Sequence, residues 1–257
     1  MDREGRWAGR NAGKDAVRHD IWQRLEALGV AVGPAWSMIP NFVGADVAAW
    51  RLAQLDAWKS ARTIKTNPDH PQIPIRIRAL YEGKVVYTPV PYLTRDFPYL
   101  RLDPKKLAER DISFELAATA QGFMEYGERV EFEQIEPLDF CVVGSVAVGR
   151  NGGRTGKGAG FADLETGIFR ELGIVGASTP MTTTVHSAQI VSDSAVVIES
   201  HDTPLDYIAT ETEMIETRNA MPRPDGVEWA KVRSDQFDNI PFLTALRDRM
   251  IGRQAGG

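Results

Sequence analysis

Hydrophobic residues recur every three or four positions in four stretches of the chain, which is the pattern of amphipathic helices. The first stretch covers residues 13–28, and Gly29 directly after it favours a stop. Residues 47–58 predict a second helix, with Asp46 as its N-terminal cap. Residues 239–250 predict a helix near the C-terminus, and residues 164–172 predict one in the middle of the chain.

Short runs of apolar and β-branched residues predict strands between these helices. They cover residues 62–66, 83–89, 140–148, 174–175, 182–185 and 195–198, residues 205–210 follow a turn, and residues 75–81 fit either a helix or a strand. Residues 92–128 lack a clean period, and we expect an irregular insertion with one short helix. Because strands alternate with helices, the sequence predicts an α/β fold with a mainly parallel sheet that helices cover on both faces.

The composition narrows the class of protein. The chain has 257 residues, of which 43% are hydrophobic and 25% charged, and this is typical of a soluble globular protein. A net charge of −5 argues against a general nucleic-acid binder. No apolar run is long enough to span a membrane, and no secretory signal follows the first residues. A single cysteine, Cys141 in an apolar run, fits a reducing cytoplasm.

A glycine-rich segment carries the clearest chemical signal. Residues 154–163, here called the glycine loop, read Arg-Thr-Gly-Lys-Gly-Ala-Gly-Phe-Ala-Asp and lie between a predicted strand and a predicted helix. Glycines allow unusual backbone angles, and a loop before a helix N-terminus is suited to bind an anion. Arg154 and Lys157 add positive charge, and Asp163 could hold a divalent cation, so the loop suggests a nucleoside triphosphate with its metal. The alternative is a flexible turn, since the spacing matches neither the Gly-x-Gly-x-x-Gly nor the Walker pattern.

Two further segments offer polar candidates. Lys14 and Arg18 are four residues apart on the first predicted helix, so they share a face and could bind one anion together. The alternative is a solvated basic edge. His201 and Asp202 could belong to a site or could cap a turn through the aspartate. Four scattered histidines and one cysteine do not support a structural zinc site.

These segments together resemble the 5-formyltetrahydrofolate cyclo-ligase family, also called methenyltetrahydrofolate synthetase. Its members begin with a Lys-x-x-x-Arg helix, carry an Arg-x-Gly-x-Gly-x-Gly-Phe-Tyr-Asp-Arg loop, and end with His-Asp and Ile-x-Thr-Glu patterns. Here the counterparts are Lys14 and Arg18, the glycine loop, His201 and Asp202, and residues 208–211. The resemblance covers most of the chain in order, and residues 92–128 and the tail beyond residue 216 look additional.

The resemblance implies a three-layer α/β/α sandwich in one domain over residues 1–257, and an enzyme that uses ATP and Mg²⁺ on a small-molecule substrate. In the family's reaction the formyl oxygen of 5-formyltetrahydrofolate takes the γ-phosphoryl group, a folate nitrogen closes the ring, and phosphate leaves. Asp163 would hold the metal ion. The implied ATP-binding residues are Lys14, Arg18, Arg154, Gly156, Lys157, Gly158, Gly160 and Phe161.

The chain departs from the family pattern at three positions. Ala162 stands where the family has an aromatic residue, Leu164 where it has a cation, and Gly144 where a proline is usual. These changes match a divergent cyclo-ligase-like subgroup for which a link to thiamin metabolism has been suggested. If the protein is a true cyclo-ligase, another aromatic residue must replace the ring lost at residue 162, and the candidates are Tyr92, Phe97, Tyr99, Phe123 and Tyr126.

Two other functions remain open at this point. The chain could be a non-catalytic protein that binds a nucleotide or metabolite and has kept only the fold. It could also be a relative of the acyl-CoA transferases, which would require an exposed glutamate in the site. Glu199 and Glu211 are the candidates by elimination.

Overall fold

A computed structural model describes residues 5–255, with side chains up to residue 252. The helices are α1 (Ala12–Ala27), α2 (Ala45–Leu52), α3 (Asp56–Ser60), α4 (Ile73–Tyr81), α5 (Pro104–Glu109), α6 (Phe114–Ala117), α7 (Ala120–Tyr126), α8 (Phe161–Glu171), α9 (Ser234–Asn239) and α10 (Leu243–Ala255). The strands are β1 (Thr63–Lys65), β2 (Val85–Pro89), β3 (Tyr99–Leu102), β4 (Glu128–Val130), β5 (Phe140–Val142), β6 (Ala147–Gly149), β7 (Arg154–Thr155), β8 (Met181–Thr184), β9 (Ile190–Val191), β10 (Tyr207–Ala209) and β11 (Met214–Glu216).

The main sheet has eight strands in the order β11-β10-β8-β5-β1-β2-β3-β4. Its five central strands are parallel, and β11, β3 and β4 are antiparallel to their neighbours. A second sheet has the order β7-β6-β9. The α/β prediction is confirmed.

Each face of the main sheet carries its own hydrophobic core, because alternate side chains of a strand point to opposite faces. One core packs Ile64, Phe140 and Val142 of the strands against α2, α3 and α4. The other packs Cys141 and Met181 against α8 and α10. Helices therefore cover both faces, as expected of the three-layer sandwich. The single-domain prediction over residues 1–257 includes residues 1–4, 256 and 257, which lie outside the described residues, and it stays a prediction.

The segment 92–128 is more ordered than expected. It supplies β3, the start of β4 and the short helices α5, α6 and α7. The sequence pattern missed β3 because its residues are almost all buried, so that hydrophobic and polar positions do not alternate. The segment thus extends the main sheet rather than forming an irregular insertion.

Two elements predicted as continuous are divided. Residues 140–148 form β5 and β6, which belong to different sheets, and the chain changes sheets at Gly144. A Cβ at Gly144 would lie 2.8 Å from the Ile39 side chain, so the close packing at this corner requires glycine. Residues 47–58 form α2 and α3, and the break lets Trp58 pack edge-on against Phe140 in the core.

Three smaller predictions are wrong. Asp46 does not cap α2, because the capping position is Gly44, with φ of 87° and no side-chain hydrogen bond. Residues 174–175 are buried but form the turn that ends α8, where both N–H groups donate to the Phe169 carbonyl. Residues 195–198 form a turn and loop rather than a strand. In the last two cases the hydrophobic residues are buried or in contact with neighbours without pairing as a strand.

Candidate functional site

A cavity of about 440 Å³ opens at the carboxyl end of the main sheet. It lies where the strand order reverses, since the chain proceeds from β1 to β2 in one direction and from β5 to β8 in the other. Asn67, Pro68 and Asp69 after β1, Gly144 after β5, and the glycine loop before α8 line it. Ligands of open α/β sheets bind at such switch points.

The glycine loop forms one wall of the cavity. Gly158 and Gly160 have φ of 104° and 75°, a region that residues with side chains rarely adopt. A Cβ at Gly158 would lie 3.1 Å from Trp7. Gly160 caps α8 without a side-chain hydrogen bond, so the backbone N–H groups of the first helical turn are open to the cavity. This wall suits an anion.

The four predicted cations all line this cavity: Lys14, Arg18, Arg154 and Lys157. Lys14 and Arg18 are buried on the inner face of α1, so they do not form a solvated basic edge. Gly156, Gly158, Gly160, Phe161 and Asp163 line the same cavity. The structure therefore brings the predicted site residues together, and their binding of ATP stays a prediction.

Arg154 and Asp163 form a buried ion pair at the centre of the wall. The guanidinium donates to Asp163 Oδ1 at 2.6 Å and to the Gly144 carbonyl at 3.0 Å. Burial alone would raise the pKa of Asp163, but the adjacent positive charge of Arg154 outweighs it and lowers that pKa. The pair is therefore charged across the neutral pH range.

The other three cations also have carboxylate partners. Lys14 Nζ lies 2.6 Å from Asp202 and 2.8 Å from Glu199. Lys157 Nζ donates to Asp69 Oδ1 at 2.8 Å. The cations are thus held in extended positions around the cavity, and a phosphate would compete with carboxylates for them.

Arg18 carries a positive charge and also supports the glycine loop through a hydrogen bond. Its guanidinium donates to Asp15 on the same helix at 2.5 Å and to the Gly156 carbonyl at 2.7 Å. Burial lowers the pKa of Arg18. Because Arg10 in turn donates to the Gly158 carbonyl at 2.8 Å, α1 and the residues before it hold two of the loop carbonyls. These two carbonyls are therefore occupied by arginine side chains.

The bottom of the cavity is a buried charged group that the sequence did not reveal. Lys65 Nζ lies 2.8 Å from Glu165 Oε2, and both side chains are 1% exposed. Lys65 also donates to Asn67 Oδ1 at 2.9 Å, and both Asn67 and Glu165 line the cavity. We call Lys65, Asn67 and Glu165 the cavity floor. They come from two segments about 100 residues apart, so no local motif marks them.

Among the five aromatic candidates, Tyr92 belongs to the described cavity lining. Tyr99 is buried below it beside Phe132 and Phe169, and burial followed by the charge of Glu165 raises the pKa of its hydroxyl. The other three lie elsewhere, each under an arginine side chain: Phe97, Phe123 and Tyr126.

Tyr92 occupies a strained position. Its φ is 59° and that of Leu93 is 53°, which is unfavourable for bulky residues and is frequent at functional sites. The ring lies 6.4 Å from Phe161 and 6.1 Å from Trp7, centroid to centroid, and Lys157 Nζ lies 5.1 Å from its centre. Tyr92 thus places an aromatic ring beside the glycine loop.

The C-terminal tail contributes to the cavity, although it looked additional in the sequence. Seven of its residues line the cavity: Gly226, Val227, Glu228, Lys231, Val232, Arg233 and Gln236. Gln236 donates to the Ala159 carbonyl at 3.4 Å, and Asp235 pairs with Arg10. Their spacing carries no recognisable motif, so sequence alone could not assign them.

The structure also gives the surroundings of four other candidate residues: Asp202, Glu211, Cys141 and Glu199. Asp202 accepts a hydrogen bond from the Glu199 backbone, as a turn cap does, and also pairs with Lys14. Glu211 accepts from the Ser187 hydroxyl and backbone N–H outside the cavity lining. Burial raises the pKa of Cys141 to about 12, so its thiol is inert at neutral pH. Glu199 lines the cavity, has a side chain that is 42% exposed and pairs with Lys14, so it meets the requirement of the acyl-CoA transferase alternative for an exposed glutamate.

Among the described residues, the cavity offers Mg²⁺ one carboxylate ligand, Asp163, rather than a complete set of protein ligands. Within the described residues, no three histidine, cysteine, aspartate or glutamate side chains group as a metal site. Mg²⁺ commonly takes one or two carboxylates and otherwise waters and substrate phosphates. Arg154 and the Thr203 N–H both donate to Oδ1 of Asp163, so Oδ2 can serve as an oxygen ligand. The residues present therefore fit a metal bound mainly through phosphate.

Known proteins are similar to this chain in sequence and in fold. Proteins from Mus musculus and Homo sapiens, each named methenyltetrahydrofolate synthase domain-containing protein, are 40% and 35% identical to it over 245 residues. These matches cover 95% of this chain and 65% and 63% of the relatives, so the chain spans less than two thirds of their length.

Among solved structures, the NMR structure of Aquifex aeolicus 5,10-methenyltetrahydrofolate synthetase matches with a TM-score of 0.52 and 18% identity. The match covers 81% of this chain and 95% of that one and shows a shared fold. None of the helices within residues 5–255 is both long and apolar enough to cross a membrane. The model of the 5-formyltetrahydrofolate cyclo-ligase family matches residues 10–211, and the chain belongs to that family.

Proposed function

We propose that the protein is an ATP- and Mg²⁺-dependent cyclo-ligase-like enzyme that acts on 5-formyltetrahydrofolate or a closely related heterocycle. Family membership supports the class of reaction. The observation that carries the proposal is the convergence of four cations, from α1 and from the glycine loop, on one cavity at the N-terminus of α8. A triphosphate is the common substrate group that needs this much neutralisation.

In the proposed reaction the formyl oxygen attacks the γ-phosphorus of ATP, and ADP leaves. The second folate nitrogen then attacks the formyl carbon and loses its proton, and inorganic phosphate departs to give the methenyl ring. The chain has to position the two substrates and neutralise charge, and no protein nucleophile is required. Lys14, Arg18, Arg154 and Lys157 would bind the phosphates, and bound Mg²⁺, held by Asp163, would supply further neutralisation.

The departure at Ala162 sets the expected rate. An aromatic ring is absent there, and Tyr92 stands on a neighbouring wall of the cavity. We therefore expect slow turnover of 5-formyltetrahydrofolate, well below the ordinary enzyme rate of about 10 per second. A related heterocycle that fits Tyr92 better would react faster.

The test is a spectrophotometric assay for the methenyl product with 5-formyltetrahydrofolate, ATP and Mg²⁺, run beside calorimetric titration with ATP. Slow, ATP-dependent turnover supports the proposal. Tight ATP binding without turnover would favour the alternative of a non-catalytic nucleotide-binding protein. Loss of both signals in the folded protein contradicts the proposal.

A further inference from the structure

We propose that the side-chain amide of Asn67 is a preorganised hydrogen-bond donor that binds a carbonyl-type oxygen of the heterocyclic substrate. Asn67 lies in the cavity floor, directly after β1 and outside the glycine loop. The identity of the substrate rests on the proposed function. The assignment of the donor rests on the contacts of Asn67 itself.

Three hydrogen bonds fix Asn67 in place. Its backbone N–H donates to Gln72 Oε1 at 2.6 Å, and its carbonyl accepts from Arg76 Nη1 at 2.5 Å. Its side-chain Oδ1 accepts from Lys65 Nζ at 2.9 Å. The three partner side chains are at most 1% exposed, so solvent does not loosen these contacts.

The contact with Lys65 also determines the orientation of the Asn67 side-chain amide. An ammonium group can only donate hydrogen bonds, so it must meet the oxygen of the amide and not the nitrogen. These contacts occupy the backbone N–H, the carbonyl and Oδ1, and they leave Nδ2. Since Asn67 lines the cavity, the two N–H bonds of Nδ2 are the polar groups that it can offer to a ligand.

Two buried cations, Lys65 and Arg76, hold Asn67 in this position. Lys65 is neutralised by Glu165, whereas Arg76 donates to the carbonyls of Ala118, Asn67 and Asp69. Burial lowers the pKa of Arg76 to about 9, which reflects the cost of placing its charge there. A donor held this firmly binds an acceptor without reorganising, which is how fixed dipoles favour one substrate over another.

The neutral charge of the Asn67 amide favours the second substrate over the nucleotide. Phosphates are expected at the four cations and at the N-terminus of α8, whereas Asn67 offers an uncharged donor at the end of β1. Because an uncharged amide donor suits an uncharged acceptor, we expect Nδ2 to meet a formyl or ring carbonyl oxygen of the heterocycle.

The test compares Asn67→Asp and Asn67→Ala with the unaltered protein. Asn67→Asp keeps an oxygen for Lys65 and removes both N–H donors but adds a negative charge, whereas Asn67→Ala removes the donors without adding charge, so the two variants together test the proposed contact. We measure the dissociation constant of 5-formyltetrahydrofolate in the presence of a non-hydrolysable ATP analogue, and the constant of the analogue alone. Both variants should bind 5-formyltetrahydrofolate at least about tenfold more weakly, with affinity for the analogue changed less than about threefold. Asn239→Asp, on the exposed face of α9, is the matched control.

The outcomes separate this inference from the proposed function. If Asn67→Asp binds 5-formyltetrahydrofolate as well as the unaltered protein, the inference is wrong and the proposed function stands. If the unaltered protein binds the analogue but not 5-formyltetrahydrofolate, the inference is wrong for this substrate class. If it binds neither compound, both the inference and the proposed function fail.

Discussion

The glycine-loop wall and the cavity floor both carry buried charge, but they differ in what that charge can do. On the wall, Lys14 and Arg18 each have a partly exposed carboxylate partner, Glu199 and Asp15, and Lys14 also pairs with the buried Asp202. On the floor, Lys65 and Glu165 are sealed from solvent together. A phosphate can replace an exposed carboxylate on the wall, whereas neither Lys65 nor Glu165 of the floor can turn towards solvent. The wall is thus suited to bind and release an anion, and the floor to hold one fixed geometry.

The largest expected effect tests the floor. Lys65→Met leaves Glu165 buried without its cation, and this should lower the free energy of unfolding by about 3–5 kcal/mol. The double variant Lys65→Met with Glu165→Met should recover most of that loss, because it removes both charges. Urea denaturation measures the three proteins.

Lys106 provides the matched control for this experiment, because its ion pair with Glu128 is half-exposed. Lys106→Met should cost less than about 1 kcal/mol. If Lys65→Met were as mild as Lys106→Met, the floor would not be the sealed structure described above.

The next effect tests the wall. Arg154→Ala should weaken ATP binding at least about tenfold, since losing a charge-assisted hydrogen bond costs roughly 1.5–3 kcal/mol. Arg150→Ala, four residues earlier and paired with Glu213 at the surface, should bind ATP normally. Calorimetry below the unfolding temperature of each variant gives the affinities. Equal affinities for the two variants would remove Arg154 from the nucleotide site.

A smaller effect is expected from the first helix. Arg18→Ala removes one cation and the brace on the Gly156 carbonyl, and should weaken ATP binding about fivefold, or roughly 1 kcal/mol. Arg24→Ala changes an exposed arginine on the same helix and should have no effect. An Arg18→Ala protein that binds ATP as tightly as Arg24→Ala would show that α1 does not reach the nucleotide.

The smallest effect concerns the aromatic wall. Tyr92→Ala should weaken binding of 5-formyltetrahydrofolate about threefold, within the 0.5–1.5 kcal/mol that a ring contact contributes. Tyr126→Ala, whose ring lies under Arg110 and away from the cavity lining, is the control. If both variants bind the folate equally well, Tyr92 does not substitute for the ring that is absent at Ala162.

The wall could be predicted from the sequence, whereas the floor could not. The wall is local: residues 154–163 carry their glycines and charges in one motif, and Lys14 and Arg18 share one helix face by their spacing. The floor joins the end of β1 to the first turns of α8, and only the strand order makes them neighbours. A lysine in an apolar strand gave no sign of its partner about 100 residues later.

The fold shows the same division between local and long-range information. The α/β alternation could be predicted because each helix and strand has its own period. The change of sheets at Gly144 and the strand β3 could not, because both depend on packing against residues far along the chain, such as Ile39. The contribution of the tail to the cavity depends in the same way on tertiary contacts, including that between Gln236 and Ala159.

The central claim is that the wall binds the phosphates of a nucleotide. Its most direct test is calorimetric titration of the unaltered protein with ATP, ADP and AMP in the presence of Mg²⁺. We predict one site per chain, with ATP bound at least about tenfold more tightly than AMP, because each added phosphate meets further cations. Equal affinity for the three nucleotides, or no binding of any of them, would contradict the account.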